Sequence, residues 1–224
     1  MNDGELTGQV RTHIAEVADP KCLLHAQAVR PFLNLRRAAL ADGIDLAPVS
    51  SFRDFDRQLT IWNAKFSGER PMYDAAGGKL DPASLAPRER IEAILLWSAL
   101  PGASRHHWGT DIDVIDGKVS TERYPDKLTR AAFAQDGPFA ALDEWLELHA
   151  ARFGFFRPFQ GMRSGVQAEP WHLSFAPIAE KARQRLSLQV LRDAIASAPL
   201  LGKETILQHL QELHARYVAA IDLP

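Results

Sequence analysis

The segment SRHHWGTDIDVID, Ser104 to Asp116, constrains the fold of this chain more than any other. Its second half alternates polar and apolar residues, the period of a strand, in which successive side chains point to opposite faces. Ile112 and Val114 then share one face, and Asp111 and Asp113 share the other. If that second face is buried it needs a counter-charge, because an unpaired buried carboxylate is strongly penalised. The segment therefore reads either as a polar turn ahead of a half-buried strand or as a metal site.

The rest of the chain can bury such a strand. With 224 residues, 46% hydrophobic and 24% charged, it falls within the range of one large domain spanning residues 1–224. Lys and Arg number 26 against 28 Asp and Glu, for a net charge of −2, so the basic field of a nucleic-acid binder is missing. The amino terminus, MNDGELTGQVRTHIAEVADPKC, carries acids where an export signal has basic residues and lacks a continuous apolar run, which points to a cytoplasmic protein. No stretch approaches the roughly 18 to 20 apolar residues of a membrane span. Cys22 is the sole cysteine, which excludes an internal disulfide and a cysteine zinc cluster. It is expected as a small buried residue on a helix.

Periodicity places the elements. Leu24, Ala28, Phe32, Leu35, Ala39 and Leu40 follow helical spacing up to Gly43, despite Pro31. Ile44 to Phe52 reads as a strand, and Asp54 caps a helix through Leu59, Trp62 and Phe66 to Gly68, so Ser51 to Asp54 forms a strand-to-helix turn. Residues Glu69 to Pro87, rich in Pro and Gly, read as a long loop of the kind that often serves as a lid. PRERIEAILLWSAL opens a helix on proline, and GPFAALDEWLELHAARFG gives another that ends at Gly154. FFRPF and WHLSF suit short strands around a turn at Gly161 to Gly165, and helical spacing resumes from Pro177. Strands between helical ends predict an α+β fold, with a small antiparallel sheet flanked by helices and a helical C-terminal extension. The motif core spans about residues 44–176.

Eight histidines occur. His13, His25, His149, His209 and His214 fall in helical patterns beside polar residues, the setting of a solvated face. His106, His107 and His172 lie outside such patterns, at strand edges where rigid elements can bring ligands together. A catalytic zinc needs three protein ligands and an open position, so two histidines and one aspartate suffice. His106 and Asp113 can meet across the turn at Gly109, with His172 arriving from the later strand. Glu169 precedes His172 by three residues in EPWH, with Pro170 fixing the backbone between them, and is suited to act as a general base. Spacing alone leaves Asp111 and Asp113 as rivals. His107, adjacent to His106, is expected to face the other way, near Trp108 or solvent.

Three segments, taken in order, are similar to the VanY-type D-alanyl-D-alanine carboxypeptidases. SRHHWGTDIDV resembles their Ser-x-His-x-x-Gly-x-x-x-Asp signature, EPWH their Glu-x-x-His motif, and SSFRDFDRQ their Ser-Gly-Tyr-Arg-Ser segment with its trailing Gln. The resemblance implies a zinc peptidase with a small antiparallel sheet, related to lysostaphin-type enzymes and the hedgehog signalling domain. It implies His106, Asp113 and His172 as zinc ligands and Glu169 as the base. Arg53 would face the scissile carbonyl or the substrate carboxylate, with Gln58 and Ser104 helping to hold that carboxylate. Asp111, where many members have alanine, is then expected to support His106 or a nearby amide from outside the ligand set. The implied activity is removal of a terminal D-alanine, at a D,D or L,D bond, from peptidoglycan stem peptides or muropeptides. A phage-type endopeptidase lysin and a non-catalytic hedgehog-like zinc-binding domain are the alternatives. The first departs from this sequence in usually carrying a basic wall-binding module, and the second has no need of Glu169.

Overall fold

A computed structural model describes residues 1–119, 127–161 and 165–224. After a helical turn, Asp3–Leu6 (α1), the chain forms a hairpin of Ile14–Val17 (β1) and Cys22–His25 (β2) and enters the helix Ala26–Ala41 (α2). Leu46–Ser50 (β3) leads into Phe55–Ser67 (α3), followed by a small hairpin of Met72–Tyr73 (β4) and Lys79–Leu80 (β5) and the helix Pro87–Leu95 (α4). A 3₁₀ turn, Arg105–Trp108, precedes Asp111–Asp116 (β6). Arg130–Phe133 (α5) and Ala140–His149 (α6) separate it from Phe155–Phe156 (β7) and His172–Phe175 (β8). The C-terminal helices are Ala176–Arg185 (α7), Leu188–Ser197 (α8), Lys203–Gln208 (α9) and Leu210–His214 (α10). The central sheet is antiparallel in the order β3-β6-β8-β7, and the fold is α+β.

The alternation in β6 divides the protein as its sequence predicts. Ile112, Val114 and Leu173 pack into a core with Phe32, Leu35, Leu142 and Trp145, from α2 and α6. A second core joins Trp62, Ile91, Leu191, Ile195 and Leu210 to Leu6 and to Trp108, the neighbour of the two histidines. Asp111, Asp113, His172 and Ser174 are nevertheless buried, so the polar set of the central strands is enclosed rather than solvated.

Three local expectations are corrected. Cys22 is buried but lies on a strand: Ile14 pairs with His25 and Val17 with Cys22, so hairpin pairing holds the chain extended until α2 begins at Ala26. His13 and His25 therefore lie outside a helix, and the His25 ring accepts a hydrogen bond from Gln27 N–H at the start of α2. Pro31 is accommodated within α2 because Ala28, Phe32, Leu35 and Ala39 bury its inner face. The Glu69–Pro87 loop carries the β4-β5 hairpin, whose Asp74 carbonyl accepts from Trp97 Nε1. Among the described residues no helix is long and apolar enough to cross a membrane. The predicted turn at Gly161 to Gly165 falls partly outside the described residues.

Candidate metal centre

Strand pairing assembles the centre. Asp113 on β6 stands opposite Ser50 on β3 on one side and His172 on β8 on the other. The register of β3 shifts between Pro48 and Ser50, just before the chain turns towards Arg53. His106 comes from the 3₁₀ turn ahead of β6, which ends at Gly109 in the left-handed conformation, φ +64°. A Cβ there would lie 2.4 Å from Ile14 Cδ1 and 2.6 Å from His25 N, so the turn that sets His106 against β6 requires glycine. On the other side, His172 N–H donates to the Glu169 carbonyl at 3.0 Å, which folds EPWH into a tight turn.

The histidine tautomers follow from their partners. A carbonyl oxygen only accepts, so His106 Nδ1, 2.9 Å from Ser51 O, carries the hydrogen and Nε2 keeps its lone pair. A carboxylate only accepts, so His172 Nε2 donates to Asp111 Oδ1 at 2.9 Å, which leaves Nδ1 as the nitrogen that would exchange its proton for a metal. The two ligand nitrogens face Asp113: His106 Nε2 lies 3.3 Å from Oδ2, and His172 Nδ1 lies 3.2 Å from Oδ1. Asp111 thus supports a histidine as expected, but its partner is His172 rather than His106. Such a carboxylate fixes both ring orientation and basicity.

The buried counter-charge demanded by the alternation is Arg105. Its Nε donates to Asp111 Oδ1 at 2.8 Å and its Nη2 to Ser174 Oγ at 2.6 Å, while its guanidinium lies 4.9 Å from the Trp108 ring centroid. Burial raises the Asp111 pKa, but Arg105, with hydrogen bonds from His172 and Thr110, outweighs it and keeps the group ionised far below the usual carboxylate range. Arg105 was missed as a functional residue, although the need for a cation opposite Asp111 was readable from the alternation. Replacing Asp111 with Asn should weaken zinc affinity by about 10- to 100-fold, measured by competition with a chelator, because the ring loses its anionic partner. Unchanged affinity would remove Asp111 from the support of the centre.

Zinc fits the donor set. One ligand atom each from His106, Asp113 and His172 can be chosen so that all lie within 4.8 Å of one another. Asp113 Oδ1 is buried without a hydrogen bond despite its closeness to His172, as expected of donors aimed at a common point rather than at each other. Burial opposes charge on His172, but Asp111, Asp113 and Glu169 outweigh it and raise its pKa well above the ordinary value. The centre therefore attracts positive charge. Two imidazoles and a carboxylate suit zinc.

The remaining groups lie around a cavity of about 1020 Å³ lined by Arg53, Ser104, His106, Asp113, Glu169 and His172, among others. Glu169 Oε2 is 3.1 Å from His172 Nδ1. Arg53 donates through Nη1 to Gln58 Oε1 at 2.7 Å and through Nη2 to Ser50 Oγ at 3.0 Å. Burial lowers the Arg53 pKa, with Asp113 and Glu169 opposing that shift, and a guanidinium remains charged throughout the working range. Gln58 is fully buried and its Nε2 donates to Ala99 O at 2.7 Å, so it reaches the cavity through Arg53. His107 is fully buried, contrary to the exposed or Trp108-stacked position expected. Its Nδ1 donates to Arg53 O at 2.6 Å and its Nε2 accepts from Gly102 N–H at 3.1 Å, tying the Arg53 backbone to the histidine turn. Burial pushes this ring down to about 3, against the Arg53 hydrogen bond, so it is neutral. Lys65, on the last turn of α3, also lines the cavity. Burial pushes its ammonium down to about 8, with Glu169 opposing and Arg53 and Arg70 adding to the shift.

Residues 21–178 match the family model of the VanY D-alanyl-D-alanine carboxypeptidases. An uncharacterised protein of Haemophilus influenzae is 34% identical over 121 residues, which cover 53% of this chain and 92% of that protein. A variant of the vancomycin-resistance D,D-pentapeptidase VanY from the VanB-type cassette, solved in complex with Zn(II), superposes with a TM-score of 0.53 at 22% identity, covering 80% of this chain and 85% of its own. VanYB in complex with D-alanine-D-alanine gives a TM-score of 0.53 at 21% identity over 84% of this chain and 91% of its own. These two structures share the fold.

Proposed function

The chain belongs to the VanY D-alanyl-D-alanine carboxypeptidase family, and from that premise we propose that it is a zinc-dependent carboxypeptidase removing a terminal D-alanine from peptidoglycan stem peptides or muropeptides, at a D,D or L,D bond. The observation that carries the reading is the convergence of His106 Nε2, His172 Nδ1 and the Asp113 carboxylate beside Glu169, in the cavity that Arg53 enters. A non-catalytic zinc-binding module needs neither that carboxylate nor a substrate-sized cavity.

Zinc bound by the three ligands supplies Lewis acidity, which polarises a carbonyl and makes water acidic near neutral pH. Glu169, next to His172, takes the proton from the attacking water and passes it to the leaving amine. Its turn geometry keeps it in place: Glu169 N–H donates to Phe159 O at 2.9 Å while its own carbonyl holds His172 N–H. Arg53 presents a cation pre-oriented by Ser50 and Gln58 to a substrate carboxylate or developing oxyanion. Ser104 also lines the cavity and offers a hydroxyl to the substrate terminus.

Amidating the terminal D-alanine of a stem pentapeptide separates this reading from an endopeptidase. Charge-assisted hydrogen bonds are worth about 1.5–3 kcal/mol, so amidation should lower kcat/KM by about ten- to a hundredfold. Arg53→Lys should lower it too, since a point charge does not reproduce a paired donor, and the two losses should overlap rather than add. Equal hydrolysis of free and amidated peptides would transfer the protein to the endopeptidases.

A further inference from the structure

Beyond the metal centre, the charge of the cavity wall is one-sided. Its carboxylates, Asp113 and Glu169, both belong to the centre, whereas Lys65, Arg70, Lys127 and Arg130 line the cavity beyond it. Arg130 is engaged, donating to Ala75 O at 3.2 Å with its guanidinium 5.7 Å from the Trp97 ring centroid. Among the described residues, neither Lys65 nor Arg70 forms an ion pair. A lysine in the last turn of a helix favours the helix dipole, which accounts for a cation at this position but not for one facing a cavity with Glu169 across from it.

The helix supplies a ruler. Gln58, which holds Arg53, and Lys65 both lie on α3. They are two turns apart on one face, separated by about 10.5 Å along the axis at 1.5 Å per residue. An extended peptide covers about 3.3–3.6 Å per residue, so a substrate whose terminus meets Arg53 brings a group two to three residues back within reach of Lys65. The cavity has room for this: at about 1020 Å³ it stands at the upper end of the usual range of small-molecule sites, about 300–1,000 Å³.

We infer that Lys65, with Arg70, is a specificity-determining subsite for a second carboxylate, carried by an internal residue of the stem peptide two to three positions back from the terminus recognised by Arg53. This rests on the carboxypeptidase reading above. A stem peptide with a diamino dicarboxylic acid at its third position supplies such a group in its side chain, and a glutamate supplies one from its free α-carboxylate. A lysine at the third position places a cation against Lys65 instead. A bound carboxylate also offsets the partial desolvation of the half-buried Lys65 ammonium beside the exposed Arg70.

The test uses zinc-loaded protein and four pentapeptides: one with both internal carboxylates free, one amidated at the third residue, one amidated at the glutamate, and one with lysine at the third position. One of the two amidations should lower kcat/KM about tenfold through KM, identifying the carboxylate that is read, and the lysine peptide should fall by at least as much if that carboxylate is the third-residue one. Lys65→Met, close in shape, should reduce the discrimination to less than about twofold, whereas Lys65→Arg should keep it. Affinities of the same peptides for zinc-loaded Glu169→Gln protein should show the same order without hydrolysis. Discrimination undiminished in Lys65→Met, or absent in both kinetics and binding, overturns the inference. Selective, Lys65-dependent binding without release of alanine from any peptide supports the subsite and overturns the carboxypeptidase reading instead.

Discussion

Glu169→Gln keeps its zinc and its fold and loses about 10²- to 10⁴-fold in turnover, the usual weight of a positioned general base. The amide is nearly the same size and shape, so the backbone bonds of the EPWH turn, Glu169 N–H to Phe159 O and His172 N–H to Glu169 O, are undisturbed. What disappears is the capacity to accept and return a proton. Glu169 is also not needed to set the tautomer of His172, because Asp111 does that from the far side of the ring. Metal content therefore stays at the wild-type level while kcat falls. Near-normal turnover in this variant would take Glu169 out of the mechanism, and a parallel loss of zinc would make it a ligand.

Removal of one ligand is the other large effect. The centre is predicted to hold a single zinc ion on His106, Asp113 and His172, and a three-ligand site does not keep tight affinity with two. Asp113→Asn is the most informative change, because it nearly preserves the volume of a buried strand residue whose register neighbours are Ser50 and His172. Metal analysis after dialysis should find zinc lost from Asp113→Asn, His106→Ala and His172→Ala, and turnover lost with it. Full zinc retention in Asp113→Ala, with loss in Asp111→Ala, would exchange the roles of the two aspartates.

Much of this centre was legible in the sequence because it is built on a strand. Alternation alone put Asp111 and Asp113 on one face and required a cation opposite. Pairing across β6 then brought Ser50 and His172 to Asp113, a long-range consequence that no local spacing encodes. Geometry favours Asp113 over Asp111 as the ligand, in that Asp111 is taken up by Arg105, Ser174 and His172 while Asp113 Oδ1 has no hydrogen bond. His107 was misjudged because the residues before Gly109 form a 3₁₀ turn rather than a strand, so adjacent rings need not face opposite ways into core and solvent. Gln58 acts on the cavity through Arg53 because the first turn of α3 buries it, which the motif does not reveal. Cys22 and the start of α2 were misplaced for one reason: helical spacing of apolar residues persisted through a hairpin strand whose pairing partner lies upstream. Lys65 carried no signal at all in the sequence, since a lysine near a helix end is ordinary until the cavity beside it is seen.

Mass analysis of products from free-acid stem pentapeptide and tetrapeptide, incubated with the zinc-loaded protein, tests the central claim most directly. The account predicts release of one terminal D-alanine from at least one of them, abolished by chelation, restored by zinc and strongly reduced in Glu169→Gln. Cleavage at an internal or cross-linking bond with the terminal alanine left in place, or no release of alanine by protein shown to carry its zinc, would contradict it.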